Sequence, residues 1–342
     1  MLKKTIALTL VALLLVGLFS GCGQAAAPET EPTEPKETQS AEEAKVMKIL
    51  TLGSSSSVDA CHMLNLVAAA EGVEQELVVG TLYYSGCTLT QHVDFLTNNK
   101  NVYVMYLSRS SNPNYPPETT PDYTMEMALR QDCWDIVILQ GAGFETLEDK
   151  AFTNGNVETI KAYVNKHKLN PEMEFAYHAI GISSMLDELT STYPYADNPY
   201  SSAAIKWNYD RARIYAERVD RLERFVETDE DYKYRIYSIT AVENAITSYL
   251  GEKGIKRDYT HLTDIGRLIA AYSVYCELYG VEELTEIKVD AIPKSFLKST
   301  ANKTADLVLS DAEKAVILEA VNNTIKNPLQ VTQSQYTEAP AQ

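Results

Sequence analysis

Short apolar segments alternate with longer segments of helical periodicity along most of this chain, and this alternation restricts the folds that it can adopt. Helical periodicity is clearest between residues 205 and 226, where apolar side chains recur every three or four positions. Strands that are separated by helices favour a mostly parallel sheet covered on both faces. We therefore predict one three-layer α/β/α domain over residues 46–326. Its strands are expected near residues 47–52, 77–84, 101–107, 135–139, 174–178 and 234–239.

The first 22 residues are predicted to be a targeting segment and not part of the fold. Two lysines precede an apolar run over residues 5–19, and Ser20-Gly21-Cys22 follows this run. The arrangement resembles a bacterial lipoprotein signal, although Phe19 stands where leucine is more usual. The resemblance implies that Cys22 is lipidated and becomes the first residue of the mature chain. An ordinary cleaved signal peptide and a single membrane anchor are the alternatives.

Two polar segments flank the predicted domain. Residues 23–45 consist mainly of Ala, Pro, Glu and Thr, and residues 327–342 are similarly polar. Such segments contain too few apolar side chains to offset the entropy lost on ordering. We therefore predict a disordered tether and a disordered tail. With a lipidated Cys22, the tether would hold the protein at the extracellular face of the bacterial cell membrane, attached through its lipid anchor only.

The charge of the chain excludes one class of partner. The 342 residues carry a net charge of −17 at pH 7, whereas nucleic acid is bound by clustered Lys and Arg side chains. Nucleic acid is therefore not expected as a partner. The cysteines beyond Cys22 form no Cys-x-x-Cys pair, and no His-x-His or His-Glu-x-x-His motif occurs. The sequence thus predicts buried free thiols, and neither a metal site nor a cofactor.

The first predicted strand runs into Gly53-Ser54-Ser55-Ser56, at the start of a helix. Side chains at such a turn lie at the carboxyl end of a parallel strand, where open α/β sheets bind their ligands. A serine at this place either caps the helix or acts as a nucleophile. The run lacks the Gly-Lys-Ser/Thr ending of a phosphate-binding loop, which disfavours nucleotide hydrolysis.

Two further motifs are predicted at the same edge of the sheet. Gly86 follows the second strand, and Asp258-Tyr259-Thr260-His261 leads into a late helix. An Asp three residues before a His can hold the His Nδ1 and leave Nε2 free to take a proton from a serine. Taken alone, an Asp-x-x-His sequence is more often a capping residue beside a surface histidine.

Together, these motifs resemble the SGNH (GDSL-type) hydrolase superfamily, and in particular an uncharacterised branch found in bacterial secreted proteins and lipoproteins. The resemblance covers most of residues 47–280 and implies an SGNH or flavodoxin-like three-layer fold. It is carried by the segments that begin at Lys48, Gly86, Trp134 and Asp258.

The resemblance also implies roles for single residues. Ser55 would be the nucleophile, His261 the general base and Asp258 its orienting partner. The backbone N–H groups of Ser55 and Gly86 would donate hydrogen bonds to the oxyanion. The third donor of the superfamily is usually an Asn side chain, and Gln140 stands in its place.

Two alternatives stay open at the level of the sequence. The related branch more often has Asn at the position of Ser54, and Ser54 or Ser56 would cap the helix if Ser55 is the nucleophile. The resemblance implies an extracellular serine esterase that acts on small esters, with carbohydrate O-acetyl groups as the leading substrate class by analogy alone. The other reading is a non-catalytic lipoprotein that binds a glycan or a peptide in a degenerate cleft.

Overall fold

In the computed structural model, which describes residues 46–113, 117–180, 210–258, 260–296 and 305–340, the apolar segments form a seven-stranded sheet. Its strands are β1 (Val46–Gly53), β2 (Glu76–Tyr83), β3 (Tyr103–Arg109), β4 (Glu118–Tyr123), β5 (Ile136–Leu139), β6 (Glu174–His178) and β7 (Tyr232–Ile236). Their order across the sheet is β4-β3-β2-β1-β5-β6-β7.

The sheet is mostly parallel, as the sequence predicts. β1 pairs in parallel with β2 and β5, and β6 pairs in parallel with β5 and β7. Only β3 and β4 add antiparallel pairs, at one edge of the sheet. The proline-rich segment 109–122 leads into the edge strand β4. An edge strand tolerates Pro121 because one side of its backbone needs no partner strand.

Helices cover both faces of the sheet. The longer ones are α1 (Ser55–Ala70), α2 (Leu89–Thr97), α3 (Met125–Gln131), α5 (Asn156–His167), α6 (Arg211–Arg221), α7 (Ser238–Ile246), α9 (Asp264–Tyr279) and α10 (Asp311–Lys326). Short helices occur at α4 (Lys150–Thr153) and α8 (Gly251–Ile255), and a π-helical turn, Leu222–Val226, follows α6. A small antiparallel pair, β8 (Ala291–Ile292) and β9 (Leu307–Val308), lies outside the main sheet.

The sheet divides the hydrophobic core into two layers. Alternate residues of β5 enter opposite layers: Ile136 and Ile138 pack with α1 and α9, whereas Val137 and Leu139 pack with α2 and α5. All four side chains are at most 3% exposed. A strand buried on both faces has to be apolar throughout, which is why this segment is the clearest strand in the sequence.

The chain leaves the neighbouring strands β1 and β5 toward opposite faces of the sheet. The helix that follows β1 packs in the core layer that contains Ile136 and Ile138. The helices that follow β5 pack in the layer that contains Val137 and Leu139. Such a reversal opens a crevice at the carboxyl ends of the two strands. Gly53 and Gln140 stand at these ends, and the Gln140 N–H donates to the Leu52 carbonyl at 3.1 Å.

The C-terminal segment differs from the prediction of a disordered tail over residues 327–342. Residues 327–340 run beside α7, where the Thr332 N–H donates to Asn244 Oδ1 at 2.7 Å and the Tyr249 N–H donates to the Tyr336 carbonyl at 2.7 Å. Polar side chains here satisfy backbone groups of an irregular segment, which composition alone does not reveal.

The predicted signal (1–22), the predicted tether (23–45) and the tyrosine-rich segment 189–200, considered as a lid or cleft wall, lie outside the described residues. No helix in the described parts of the chain is long and apolar enough to span a membrane.

Candidate active site

The turn after β1 gives the neighbouring serines different tasks. Ser54 has extended backbone angles and caps α1, with its Oγ accepting from the Ser56 N–H. The Ser57 hydroxyl is buried and donates to Gln140 Oε1. Ser55 and Ser56 are half-buried, and within the described residues the Ser55 hydroxyl has no hydrogen-bond partner. The sequence left Ser54 and Ser56 open as the cap, and the structure shows Ser54 in this role. The Ser55 hydroxyl is left available for chemistry.

Glycine is required immediately before this turn. A Cβ at Gly53 would lie 2.0 Å from Ser57 Oγ and 2.6 Å from Gln140 Oε1. Neither atom can move freely, because the two are bonded to each other in the buried layer below the turn. Only glycine at position 53 therefore allows the end of β1 to lie this close to Ser57 Oγ and Gln140 Oε1.

Gln140 is buried beneath the serine turn. Its side chain is 1% exposed, and its Oε1 accepts from the Ser54 N–H at 3.3 Å as well as from Ser57. Its Nε2 donates to the Gly141 carbonyl at 3.3 Å. The carboxamide therefore supports the serine turn from below. These bonds use Oε1 and one of the two Nε2 protons, and the role of Gln140 as third oxyanion donor stays a prediction.

The turn after β2 provides the second predicted donor. Gly86 has φ +61°, a left-handed conformation that favours glycine. The Tyr84 N–H donates to the Gly53 carbonyl at 3.4 Å, which joins this turn to the first. Within the described residues, neither the Ser55 N–H nor the Gly86 N–H has an acceptor. Two free donors thus stand on adjoining turns at the carboxyl edge of the sheet.

His261 lies on a short loop between α8 and α9. The loop is closed by a bridge between Lys256 and Leu262 and by a hydrogen bond of 3.0 Å from the Arg257 N–H to the His261 carbonyl. Thr263 ends the loop by capping α9, accepting from the Gly266 N–H at 3.2 Å. A histidine on such a loop is held by backbone contacts at both ends.

Asp258 folds back onto His261, as the sequence predicts. The Nδ1 atom of His261 lies 2.9 Å and 2.8 Å from the two carboxylate oxygens, and the Thr260 and His261 N–H groups donate to Oδ1 at 2.9 Å and 2.8 Å. Burial alone would raise the pKa of Asp258. These hydrogen bonds outweigh it and hold the pKa well below its usual range. An ionised Asp258 fixes the proton of His261 on Nδ1 and leaves Nε2 as the acceptor.

Asp59 connects the histidine loop to the serine helix. Asp59 follows Ser55 by one helical turn on the same face of α1. Its Oδ2 accepts from the Leu262 N–H at 3.0 Å, and its Oδ1 accepts from Arg267 Nε at 2.8 Å. An acidic residue near the start of a helix usually interacts with the helix dipole, whereas the partners of Asp59 lie more than 200 positions away in the sequence.

The predicted triad is therefore assembled in part. His261 and Asp258 are in direct contact, and their loop contacts α1 one turn after Ser55. No hydrogen bond joins Ser55 to His261 among the described residues, and the His261 side chain is 28% exposed. Catalytic hydrogen bonds are often long in free enzymes and shorten when the substrate is bound.

Other reactive groups near the site are not suited to nucleophilic attack. Cys87 follows Gly86 directly, but it is fully buried and burial raises the pKa of its thiol. Cys61 and Cys276 are also buried and unpaired, as predicted, whereas Cys133 is exposed. Across the described residues, no group of three or more His, Cys, Asp or Glu side chains is placed to hold a metal ion.

Comparison with known proteins identifies a family and a fold. Residues 48–306 match the family described as a domain of unknown function, DUF4886. A crystal structure of a DUF4886 family protein from Bacteroides uniformis is 21% identical, with a TM-score of 0.68 over 86% of this chain and 100% of that one. A protein from Slackia heliotrinireducens, proposed to be an SGNH hydrolase, is 14% identical, with a TM-score of 0.37 over 68% of this chain and 100% of that one. No curated protein matches the chain.

Proposed function

The chain belongs to the DUF4886 family, and we propose that this member is a serine hydrolase of the SGNH type that cleaves small esters. The observation that carries the proposal is the Asp258–His261 pair, held on a loop against the helix that begins at Ser55. An ordered Asp–His pair, a serine with an unbonded hydroxyl and two unbonded N–H groups are the parts that acyl transfer requires.

In the proposed reaction, Ser55 Oγ attacks the ester carbonyl carbon and its proton passes to His261 Nε2. The tetrahedral intermediate collapses, the bond to the alcohol oxygen breaks, and His261 returns the proton to the leaving alcohol. Water then attacks the acyl-serine ester, giving its proton to His261. The second intermediate releases the carboxylic acid, and Ser55 recovers its proton from His261.

Two backbone groups would stabilise the negative oxygen of both intermediates. The N–H groups of Ser55 and Gly86 have no acceptor in the described residues and stand on adjoining turns. An N–H that already lacks a partner needs no rearrangement to meet the oxyanion. Gln140 is left out of this role because its carboxamide is bonded to the serine turn.

We further propose small carbohydrate esters as substrates and a lipid anchor at Cys22 as the means of attachment. Tyr83 and Tyr84 are half-buried at the end of β2, beside Gly53, with their rings against Tyr106 and Phe95, and these aromatic side chains are the feature that favours a sugar ester. The anchor is tested separately: Cys22→Ser should move the protein from the membrane fraction to the soluble one. A variant that stays in the membrane fraction would refute lipidation at this residue.

A second candidate function is binding without catalysis, and the position of Gln140 favours it. A cleft that lacks the usual side-chain donor for the oxyanion can retain a ligand without turning it over. In that case, acetylated glycans would bind to the protein while no ester is cleaved.

The test uses the purified full chain, p-nitrophenyl acetate and acetylated oligosaccharides. We expect hydrolysis that Ser55→Ala and His261→Ala abolish. Ser56→Ala is the matched control, because Ser56 is the equally half-buried neighbour on the same helical turn. A fluorophosphonate probe should modify Ser55 in the parent chain and leave no adduct in Ser55→Ala.

The outcomes separate the alternatives. Loss of activity in Ser56→Ala with retention in Ser55→Ala would move the nucleophile by one position. Equal rates in the parent, Ser55→Ala and His261→Ala would overturn the hydrolase proposal. Binding of acetylated glycans with no turnover in the parent would support the non-catalytic alternative.

A further inference from the structure

Asp59 is a buried carboxylate in the interior of a helix, where such a group needs a reason to be retained. Its side chain is 2% exposed, and both of its oxygens are bonded outside α1. Removing a carboxylate from water is costly unless its partners are well placed. Asp59 meets this condition with one backbone N–H and one guanidinium nitrogen, both from the region that follows His261.

Arg267 completes the contact. It lies in the first turns of α9 and is 13% exposed. Besides the bond from its Nε to Asp59, Arg267 donates from Nη1 to Asp264 Oδ1 at 3.3 Å and to the Phe296 carbonyl at 3.2 Å. The guanidinium is therefore bonded to Asp59, Asp264 and Phe296. The bond from Arg267 fixes Asp59 Oδ1 and directs Oδ2 to the Leu262 N–H.

The bond between Asp59 and Leu262 spans the two halves of the proposed active site. Ser55 and Asp59 are one turn apart on α1, and residues so spaced are about 5–6 Å apart at their Cβ atoms. Leu262 is the residue next to His261. Ser55 and His261 are 206 positions apart in the sequence, so their separation in space depends on how the loop is seated on α1. A single carboxylate makes this connection directly.

We propose that Asp59 is a positioning residue: through its bonds to the Leu262 N–H and to Arg267, it sets the distance between Ser55 and His261. This inference rests on the hydrolase function proposed above. Asp59 touches neither the substrate nor the reacting atoms, so its effect is on the geometry of the proton transfer. Misplacing a catalytic group by about 1 Å can cost roughly a hundredfold in rate.

The competing explanation is that Asp59 only stabilises the fold. A matched control distinguishes the two, because the residue that caps the C-terminal end of α1 is a second carboxylate with a buried side chain. Glu71 accepts from the Tyr272 hydroxyl at 3.0 Å and pairs with Lys288 at 2.9 Å, and its side chain is 7% exposed. It too joins α1 to α9, but far along both helices from the histidine loop.

The experiment compares Asp59→Asn, Asp59→Ala and Glu71→Gln in the full chain, with kcat and KM measured on p-nitrophenyl acetate. We expect Asp59→Asn to lower kcat by roughly tenfold to a hundredfold with KM little changed. The amide oxygen of the introduced Asn can still accept from the Leu262 N–H. Asp59→Ala has no such acceptor, so its kcat should be lower still. Glu71→Gln should lose stability and keep its kcat.

The rate of Ser55 modification by a fluorophosphonate gives a second readout. This rate depends on proton transfer to His261, and it should fall in the Asp59 variants in proportion to kcat. If Asp59→Ala fails to fold, the comparison between Asp59→Asn and Glu71→Gln still decides the matter. Equal kcat values in Asp59→Asn, Glu71→Gln and the parent would overturn the positioning role.

The hydrolase proposal can fail separately. If Ser55→Ala keeps the parent rate, the proposed function is wrong and the positioning role falls with it. If Ser55→Ala is inactive while the Asp59 variants behave like Glu71→Gln, only the positioning role is wrong.

Discussion

Acid should destabilise this protein strongly because two histidines are buried without charge. His92, on α2, and His178, at the end of β6, are each 1% exposed. Each makes one side-chain hydrogen bond, to the Tyr103 hydroxyl at 2.7 Å and to the Ser238 hydroxyl at 2.8 Å. Their other ring nitrogens have no partner among the described residues. Burial lowers the pKa of His92 to about 4 and that of His178 to about 3.

The sign and size of the effect follow from linkage. An unfolded chain protonates both rings as the pH falls below about 6.5, whereas the folded protein keeps them neutral until pH 4 or 3. The unfolded state thus binds more protons than the folded state in this pH window. The free energy of unfolding therefore decreases as the pH is lowered. At pH 5 both rings are still neutral in the folded protein. The loss in the free energy of unfolding is therefore set by the difference of 1.5 pH units between pH 5 and the unfolded-state pKa of about 6.5. At about 1.4 kcal/mol per unit, this amounts to about 2 kcal/mol for each histidine.

Urea unfolding followed by circular dichroism at pH 7, 6 and 5 measures this loss. Between pH 7 and pH 5, we expect the two histidines to lower the free energy of unfolding of the parent chain by about 4 kcal/mol. This is a large part of the roughly 5–15 kcal/mol by which folded proteins are usually stable. His92→Gln and His178→Gln should each remove about half of this pH dependence, although each also lowers the stability at pH 7. A double variant that keeps the pH dependence of the parent would refute the reasoning.

Three further perturbations test single contacts of the fold and the site. Gln140→Leu leaves the buried Ser54 N–H without an acceptor, so urea unfolding should show a loss of about 1–3 kcal/mol; the same stability as the parent would contradict the contact. Gly86→Ala forces a side chain into a left-handed conformation, which should cost about 1–2 kcal/mol in the same assay and lower kcat on p-nitrophenyl acetate; an unchanged kcat would argue against a role for this turn. A chain that ends at Lys326 loses the bonds of the C-terminal segment to Asn244, and its Tm should fall, whereas an unchanged Tm would mean that this segment adds nothing.

Features that repeat along the chain could be predicted from the sequence. The strands that are buried on both faces, such as β5, are continuous apolar runs in the sequence. In the helices between them, apolar residues recur with the helical period. The Asp258–His261 contact could also be predicted, because the two residues are only three positions apart in the sequence. Ser54 as the cap of α1 follows from the same kind of local chemistry.

Contacts that depend on distant parts of the chain could not be predicted. An acidic residue near the start of a helix indicates a favourable interaction with the helix dipole, and nothing near Asp59 in the sequence suggests Leu262 or Arg267. Gln140 was assigned by its place after β5, whereas its hydrogen bonds are decided by the turn that packs above it. The tail failed as a prediction because its order comes from side chains on α7 and not from its own composition.

The arrangement of Gln140 also sets an expectation for how fast the proposed enzyme can be. A carboxamide oxygen that already accepts from Ser54 and Ser57 holds its group in place, and the attached nitrogen is directed to Gly141. In the mechanism proposed above, only the two backbone N–H groups then serve the oxyanion. One side-chain donor is typically worth roughly a hundredfold to a thousandfold in kcat. We therefore expect rates lower by this factor than those of a site with three donors, and a preference for small esters with good leaving groups. Rates on unactivated esters that equal those on p-nitrophenyl acetate would require a third donor, and they would contradict the two-donor mechanism.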